Sequence, residues 1–286
     1  MIWSVDGEEM GISMTNNQAI DDELLIGCEG GILTIQLNIP DKLNAITTAL
    51  VDRITSTVNS ADQDPQVRVL VLTGTGRAFC AGANLAAKRE NESAAASSLP
   101  ATGPDPESVD AVNALTHALT AVNKPVICAM NGLAAGVGVS MALACDLILA
   151  RDDAYFLLAF TRVGLMPDGG SSQLVAASLG RSRALQLALL AQPLTTKEAH
   201  QAGLVWSLHS DEESLRSAVA QIASQLAAGP TRALGETKSS INAATLGGLD
   251  AAMTRERAVQ GELLQGPEYA EGMAAQLAKR PAVFHS

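Results

Sequence analysis

Residues 126–150 read VICAMNGLAAGVGVSMALACDLILA, and how this run is divided decides the fold. Taken whole, it is long and apolar enough to suggest a membrane span. Asp146 argues against that, because a carboxylate at bilayer depth is costly. Asn131-Gly132 is a turn signal, and Lys124-Pro125 precede the run. The stretch therefore divides into a strand at 126–130, a turn, a buried helix of small residues from about Gly136, and a second strand at 147–150.

The same alternation extends outward. Upstream, 24–28 and 32–37 read as two strands joined at Gly30-Gly31, the second alternating Ile32, Thr34, Gln36 against Leu33, Ile35, Leu37. A helix follows, with Leu50, Ile54 and Val58 every fourth position. Residues 67–72 (VRVLVL) form a buried strand, and glycines at 74 and 76 turn the chain into Ala78-Phe79-Cys80. Residues 88–108 are small and polar and read as a long loop of the kind that serves as a lid or linker. The next helix carries Val109, Val112, Leu115 and Leu119 on one face.

Downstream come a short extended piece at 154–158, a bend at 164–170, and helices at 172–179 and 182–190. Thr195 with Glu198 is a capping-box signature, and 205–209 reads as a last strand. Beyond Asp211 only helical periodicity remains, interrupted at Gly229-Pro230, Gly247-Gly248 and Gly266-Pro267. The fold class is α/β, divided as a polar extension (1–20), a mixed core (21–210) and a helical C-terminal region (211–286) suited to packing on a neighbouring subunit.

Composition narrows the function. The net charge of −11, with 30 acidic against 19 basic residues, excludes nucleic acid as the main partner, which needs a basic face. Cys28, Cys80, Cys128 and Cys145 are isolated, three of them in apolar runs, which points to buried free thiols in a reducing cytoplasm. The N-terminus has Asp6, Glu8 and Glu9 where a signal peptide would be basic. His117, His200, His209 and His285 have no metal-ligand spacing, so no metal site is expected.

Two segments suit main-chain recognition. In Phe79-Cys80-Ala81-Gly82-Ala83-Asn84-Leu85, a strand runs into residues small enough for another molecule to approach the backbone. In Asn131-Gly132-Leu133-Ala134-Ala135-Gly136-Val137-Gly138, a helix begins among Ala and Gly, where its first N–H groups lack partners. Facing each other, the two would make an oxyanion hole. Each segment alone is equally explained by close packing.

Together and in this order, NIPDKLNA (38–45), VRVLVLTGTGRAFCAGANL (67–85), NKPVICAMNGLAAGVG (123–138) with ACDLILA (144–150), and FTRVGLMPDGG (160–170) closely resemble the crotonase (enoyl-CoA hydratase/isomerase) superfamily. The resemblance covers residues 22–285. It implies a crotonase-like ββα spiral core with a C-terminal all-helical trimerisation region, an acyl-CoA thioester substrate, and a homotrimer or dimer of trimers. Coenzyme A would enter as part of the substrate, with no permanently bound cofactor and no membrane partner. By resemblance the oxyanion donors are the N–H groups of Ala83 and Val137; the family usually has Gly where this chain has Val137. Lys42, Leu43 and Ala45 resemble the CoA-binding strand-to-helix turn, and a lysine in a solvated turn is the alternative for Lys42. Ala81, Gly82, Asn84, Leu85, Gly136 and Phe160 would contact the substrate or its CoA. Lys279 and Phe284 resemble residues that reach a neighbour's CoA nucleotide.

Hydration in that family uses two glutamates. Motif alignment puts Ser140 and Phe160 at those positions, and neither exchanges protons near neutral pH. Asp168, in Met166-Pro167-Asp168-Gly169-Gly170, falls where some branches keep a catalytic aspartate, among them ring-epoxide acyl-CoA isomerases and some enoyl-CoA isomerases. The competing reading is a Pro-Asp-Gly turn with Asp168 as helix N-cap. If catalytic, Asp168 needs a raised pKa, which burial beside Phe160, Leu165 and Met166 could supply. Glu90 and Glu92 read as solvated loop residues, and Asp146 as a brace at a strand end. The expected function is isomerisation of a 3-enoyl-CoA to a 2-enoyl-CoA, or of a related ring acyl-CoA. The alternatives are a hydratase with other acid–base residues and a catalytically silent CoA-binding protein.

Overall fold

The structure, a computed structural model, describes residues 23–84 and 107–284. The expected extension at 1–20, Leu85, nearly all of the 88–108 loop with Glu90 and Glu92, and His285 lie outside the described residues.

The chain opens with an antiparallel hairpin, β1 (Leu24–Glu29) and β2 (Ile32–Leu37), then α1 (Thr48–Gln63). The hairpin turns on Gly30 and Gly31, at φ 56° and 81°, which glycine adopts at no steric cost. A unit of two strands and a helix then repeats. It comprises β3 (Val69–Gly74), β4 (Ala78–Cys80) and α2 (Glu107–Ala121), then β5 (Val126–Met130), β6 (Leu133–Ala135) and α3 (Val137–Leu143). The next unit is β7 (Leu147–Arg151), β8 (Tyr155–Leu157) and α4 (Ser171–Leu179). After α5 (Arg181–Leu190) come β9 (Leu194–Thr195), α6 (Thr196–Gln201) and β10 (Ser207–His209). In each repeated unit the first strand joins a six-stranded sheet, ordered β1-β2-β3-β5-β7-β10, and the second joins a four-stranded sheet, ordered β4-β6-β8-β9. This is the ββα spiral implied by the resemblance.

Two buried asparagines hold the crossover between the sheets at residues 74–78. Asn44 donates through Nδ2 to the carbonyls of Thr75 (2.9 Å) and Ala78 (2.7 Å) and accepts the Ile39 N–H (2.8 Å). Asn131 accepts the Gly74 N–H (3.2 Å) and donates to Gly76 (2.8 Å) and Ala78 (3.0 Å). Strand pairing reaches only the ends of this stretch, at Gly74, Thr75 and Ala78, and the two amide side chains satisfy main-chain groups that pairing leaves over.

Every residue of β2, β3 and β5 is buried, as expected for parallel strands covered on both faces. One face packs into the main core with Leu50, Ile54 and Val58 of α1. The other presents Ile32, Val69, Val71, Ile127, Ala129 and Leu149 to α7 (Glu212–Ala227). Leu215, Val219, Ala223 and Ala227, four apart, form the stripe that meets them. Residue 211 therefore marks where the strands end, not where the core ends. The remaining helices, α8 (Thr231–Thr245), α9 (Leu249–Leu263) and α10 (Pro267–Leu277), follow the three glycine interruptions.

Some details depart from the sequence reading. β3 and β10 each begin two residues later than expected, and β6 lies within what reads as a turn. All four cysteines are free, but Cys28 is exposed, because β1 is an edge strand with one side open. Asp146 does brace a strand end: Oδ2 accepts the Val126 N–H (2.7 Å) and pairs with Lys238 Nζ (3.0 Å). The Thr195–Glu198 capping box is formed. Among the described residues no helix is long and apolar enough to cross a membrane, and no group of three or more His, Cys, Asp or Glu could hold a metal ion.

Candidate functional site

Three segments converge at the start of α3. The first is 81–84, which runs beside the 43–46 turn. Leu43 accepts the Ala81 N–H (3.0 Å), Gly82 accepts the Ile46 N–H (2.9 Å), and Ile46 accepts the Asn84 N–H (2.8 Å). The C=O and N–H of a trans peptide point in opposite directions. Since the Gly82 carbonyl faces Ile46, the Ala83 N–H on that peptide points away from it. It meets no acceptor among the described residues.

The second segment is the entry to α3. Gly136, at φ 51°, precedes the helix, and Val137 is its first residue, so the Val137 N–H has no intrahelical acceptor. The segments touch: a Cβ on Gly82 (φ 97°) would lie 3.0 Å from the Ala135 carbonyl oxygen and 3.7 Å from the Gly136 Cα. Small residues are required here because two main chains pass at van der Waals distance.

The third segment is 160–170. The Phe160 ring reaches to 3.9 Å from a Cβ built on Gly136. Further along, Ser140, one turn into α3 from Val137, donates through Oγ to the Asp168 carbonyl (3.0 Å). The three residues from 137 to 140 span about 4.5 Å of axis, so the Asp168 carbonyl is anchored roughly one turn along α3 from Val137. Gly169, at φ 63°, packs on Val112 and Ser140, and Thr116 donates to its carbonyl (2.8 Å).

Asp168 itself is buried and does not cap α4; the N-cap position is Gly170. The capping duty passes to Glu256 of α9, whose carboxylate accepts the N–H groups of Gly170 (2.7 Å) and Ser172 (3.0 Å). Asp168 Oδ2 accepts a hydrogen bond from Gln260 Nε2 (2.8 Å), while Oδ1, equally buried, has no partner among the described residues. Burial pushes the Asp168 carboxyl up to about 7; the Gln260 bond opposes that shift and the nearby Glu256 carboxylate adds to it. Burial also raises Glu256 above the usual carboxylate range.

Neither Gln260 nor Glu256 was a candidate from sequence. Their only local signal is the four-residue spacing on one helix face, which any solvated pair shares. Of the CoA candidates, Leu43 and Ala45 lie on the turn beside 81–84, and Lys42 is exposed at the end of the 3₁₀ turn Pro40–Lys42. Lys279 and Phe284 follow α10, which packs on the 160–164 segment through Gly272 and Val163. Among the described residues no hydrogen bond or ion pair links either to 42–45 or 81–84 within the chain. A separate groove of about 410 Å³ runs between α2, α8 and α9, past His117, Lys238 and Asn242, and none of the three converging segments lines it.

Residues 27–286 match the family profile described as enoyl-CoA hydratase/isomerase. The chain belongs to that family. Members similar to it include the 1,2-epoxyphenylacetyl-CoA isomerase of Escherichia coli (strain K12), 37% identical and covering 91% of this chain and 97% of that one. A probable enoyl-CoA hydratase of Rhodobacter capsulatus is 36% identical, covering 89% and 94%. The crystal structure of an enoyl-CoA hydratase from Mycobacterium avium subsp. paratuberculosis K-10 superposes with a TM-score of 0.82 at 38% identity, covering 92% of this chain and 99% of that one. The enoyl-CoA hydratase/isomerase family processes acyl-CoA thioesters. Relatives of near-equal identity carry isomerase and hydratase names, so the choice of reaction rests on the acid–base groups at the site.

Proposed function

We propose that this chain isomerises an unsaturated or ring acyl-CoA through a thioester enolate, with Asp168 as the sole proton carrier. The observation that carries this is the state of Asp168: buried, one oxygen bonded and the other without a partner among the described residues, its carboxyl pushed up to about 7. The two positions matched to the hydratase glutamates are Ser140 and Phe160. Glu256, the other carboxylate beside Asp168, is engaged through both oxygens.

In this reading the Asp168 carboxylate removes a C2 proton from a 3-enoyl-CoA. The C–H electron pair moves into a C1–C2 double bond, and the charge settles on the thioester oxygen. The Ala83 and Val137 N–H groups hold that oxygen, each donor worth roughly 3–4 kcal/mol of barrier. The carboxylic acid then returns the proton at C4, leaving the double bond between C2 and C3. One group suffices because the same proton leaves and re-enters. The 1,2-epoxyphenylacetyl-CoA isomerase of Escherichia coli, as a relative, supports a ring acyl-CoA as a second substrate class. Lys42, Leu43 and Ala45 would meet the CoA nucleotide of their own subunit, and Lys279 and Phe284 that of a neighbour in a trimer.

The test is a panel of 2-enoyl-, 3-enoyl- and ring-containing CoA thioesters supplied to the purified protein. Conversion of a 3-enoyl or ring substrate to its isomer is expected, with little hydration of crotonyl-CoA. Brisk hydration of crotonyl-CoA would overturn the reading in favour of a hydratase.

A further inference from the structure

Gln260 is held in one orientation by the backbone of the segment it serves. Its Oε1 accepts the Met166 N–H (3.1 Å), an obligatory donor, so its Nε2 must be the atom facing the Met166 carbonyl (3.0 Å) and Asp168 Oδ2 (2.8 Å). An amide nitrogen only donates. Oδ2 is thereby kept as an acceptor in both protonation states, and a proton on the neutral acid must sit on Oδ1, the oxygen without a partner among the described residues. We propose that Gln260 is a positioning residue for Asp168, fixing Oδ1 as the oxygen that takes and returns the substrate's proton.

The inference rests on Asp168 being the proton carrier. It extends the site to α9, from which Gln260 and Glu256, one turn apart, together hold residues 166–172 through Met166, Asp168, Gly170 and Ser172. Gln260 is buried, so its side chain cannot trade these bonds for water. Without the donor, both carboxyl oxygens become equivalent acceptors, the group can rotate, and the proton is no longer confined to one side. A misplacement on the order of 1 Å costs about 10²-fold in rate.

The experiment compares the wild-type protein with Gln260→Met and Gln260→Glu. It measures kcat and KM on the isomerised substrate and the pH midpoint of the Asp168 carboxyl carbon by 13C NMR, assigned by its loss in Asp168→Asn. Glu256 is the charged neighbour acting on Asp168 and is common to all three proteins. Expected are a kcat lowered about 10- to 100-fold with KM little changed, and an Asp168 midpoint raised above the wild-type value. A merely structural residue would lower the melting temperature and leave that midpoint in place. Gln260→Glu keeps the length and the acceptor for the Met166 N–H; because its own carboxylate beside Asp168 raises the midpoint by charge alone, kcat is the deciding readout in that variant if Gln260→Met fails to fold. An unmoved midpoint in a folded variant overturns the proposal, and so does an unchanged kcat. If Asp168→Asn abolishes turnover while the Gln260 variants behave as wild type, only this inference fails; if Asp168→Asn turns over normally, the reading beneath it fails.

Discussion

Gly138 lies so close beneath Cys80 that a Cβ on it would overlap the Cys80 carbonyl oxygen. The contact seats the first turn of α3 against the end of β4, and it sets how far Val137 stands from the 81–84 segment. The separation of two main-chain donors is thus fixed by a residue that is neither of them. No side chain can intervene at this point, and the two backbones are held together by the pairing of β4 with β6, the strand that leads into α3.

Gly138→Ala should therefore damage both stability and turnover. The added methyl must displace backbone, and such overpacking costs about 1–3 kcal/mol. Urea denaturation should show that loss. The surviving folded protein should turn over more slowly, because the two donors no longer meet one oxygen. Wild-type kcat in Gly138→Ala would show that the contact does not set the donor spacing.

Asn44→Ala should cost about 1.5–4.5 kcal/mol, since three hydrogen bonds are lost at about 0.5–1.5 kcal/mol each. Asn44 also sits at φ 54°, a conformation asparagine tolerates better than alanine. Chemical denaturation measures the cost. A change below about 0.5 kcal/mol, the usual range for a surface substitution, would contradict the role given to the crossover clamp.

Asp168 should lower stability at neutral pH. Its folded pKa, about 7, lies above the ordinary value of 3.8, so between those values the native state binds a proton that the unfolded chain releases. Stability then falls as pH rises through that window and levels off above it. The shift sets an upper bound of about 4 kcal/mol at 1.36 kcal/mol per unit. Asp168→Asn removes the ionisation, so the variant should be more stable than wild type at pH 8, with the gap closing toward pH 4. Urea titrations at both pH values decide it; an equal gap at both would mean that Asp168 does not titrate in this window.

Much of this architecture is legible along the chain because it is local. The cut of 126–150 at Asn131-Gly132 gives β5, α3 and β7 nearly to the residue, and Thr195 with Glu198 announces its own capping box. Three-residue β6 is not legible, because only its pairing with β4 and β8 makes it a strand. α7 reads as one more C-terminal helix, and its burial on the sheet follows from a long-range face match that periodicity does not specify. At the site, the family motifs point to Asp168, but the cap reading of that residue fails because Glu256, far along the chain, takes the duty. Gln260 is invisible for the same reason: it becomes informative only once α9 folds back onto Met166 and Asp168.

The most direct measurement compares wild type and Asp168→Asn on a 3-enoyl-CoA, following the rise of conjugated enoyl-thioester absorbance, with thioester binding measured in parallel. Loss of a positioned acid–base group should lower the rate by about 10²–10⁴ while binding stays close to wild type, because the main-chain donors remain. A variant that isomerises at the wild-type rate would contradict the assignment of proton transfer to Asp168.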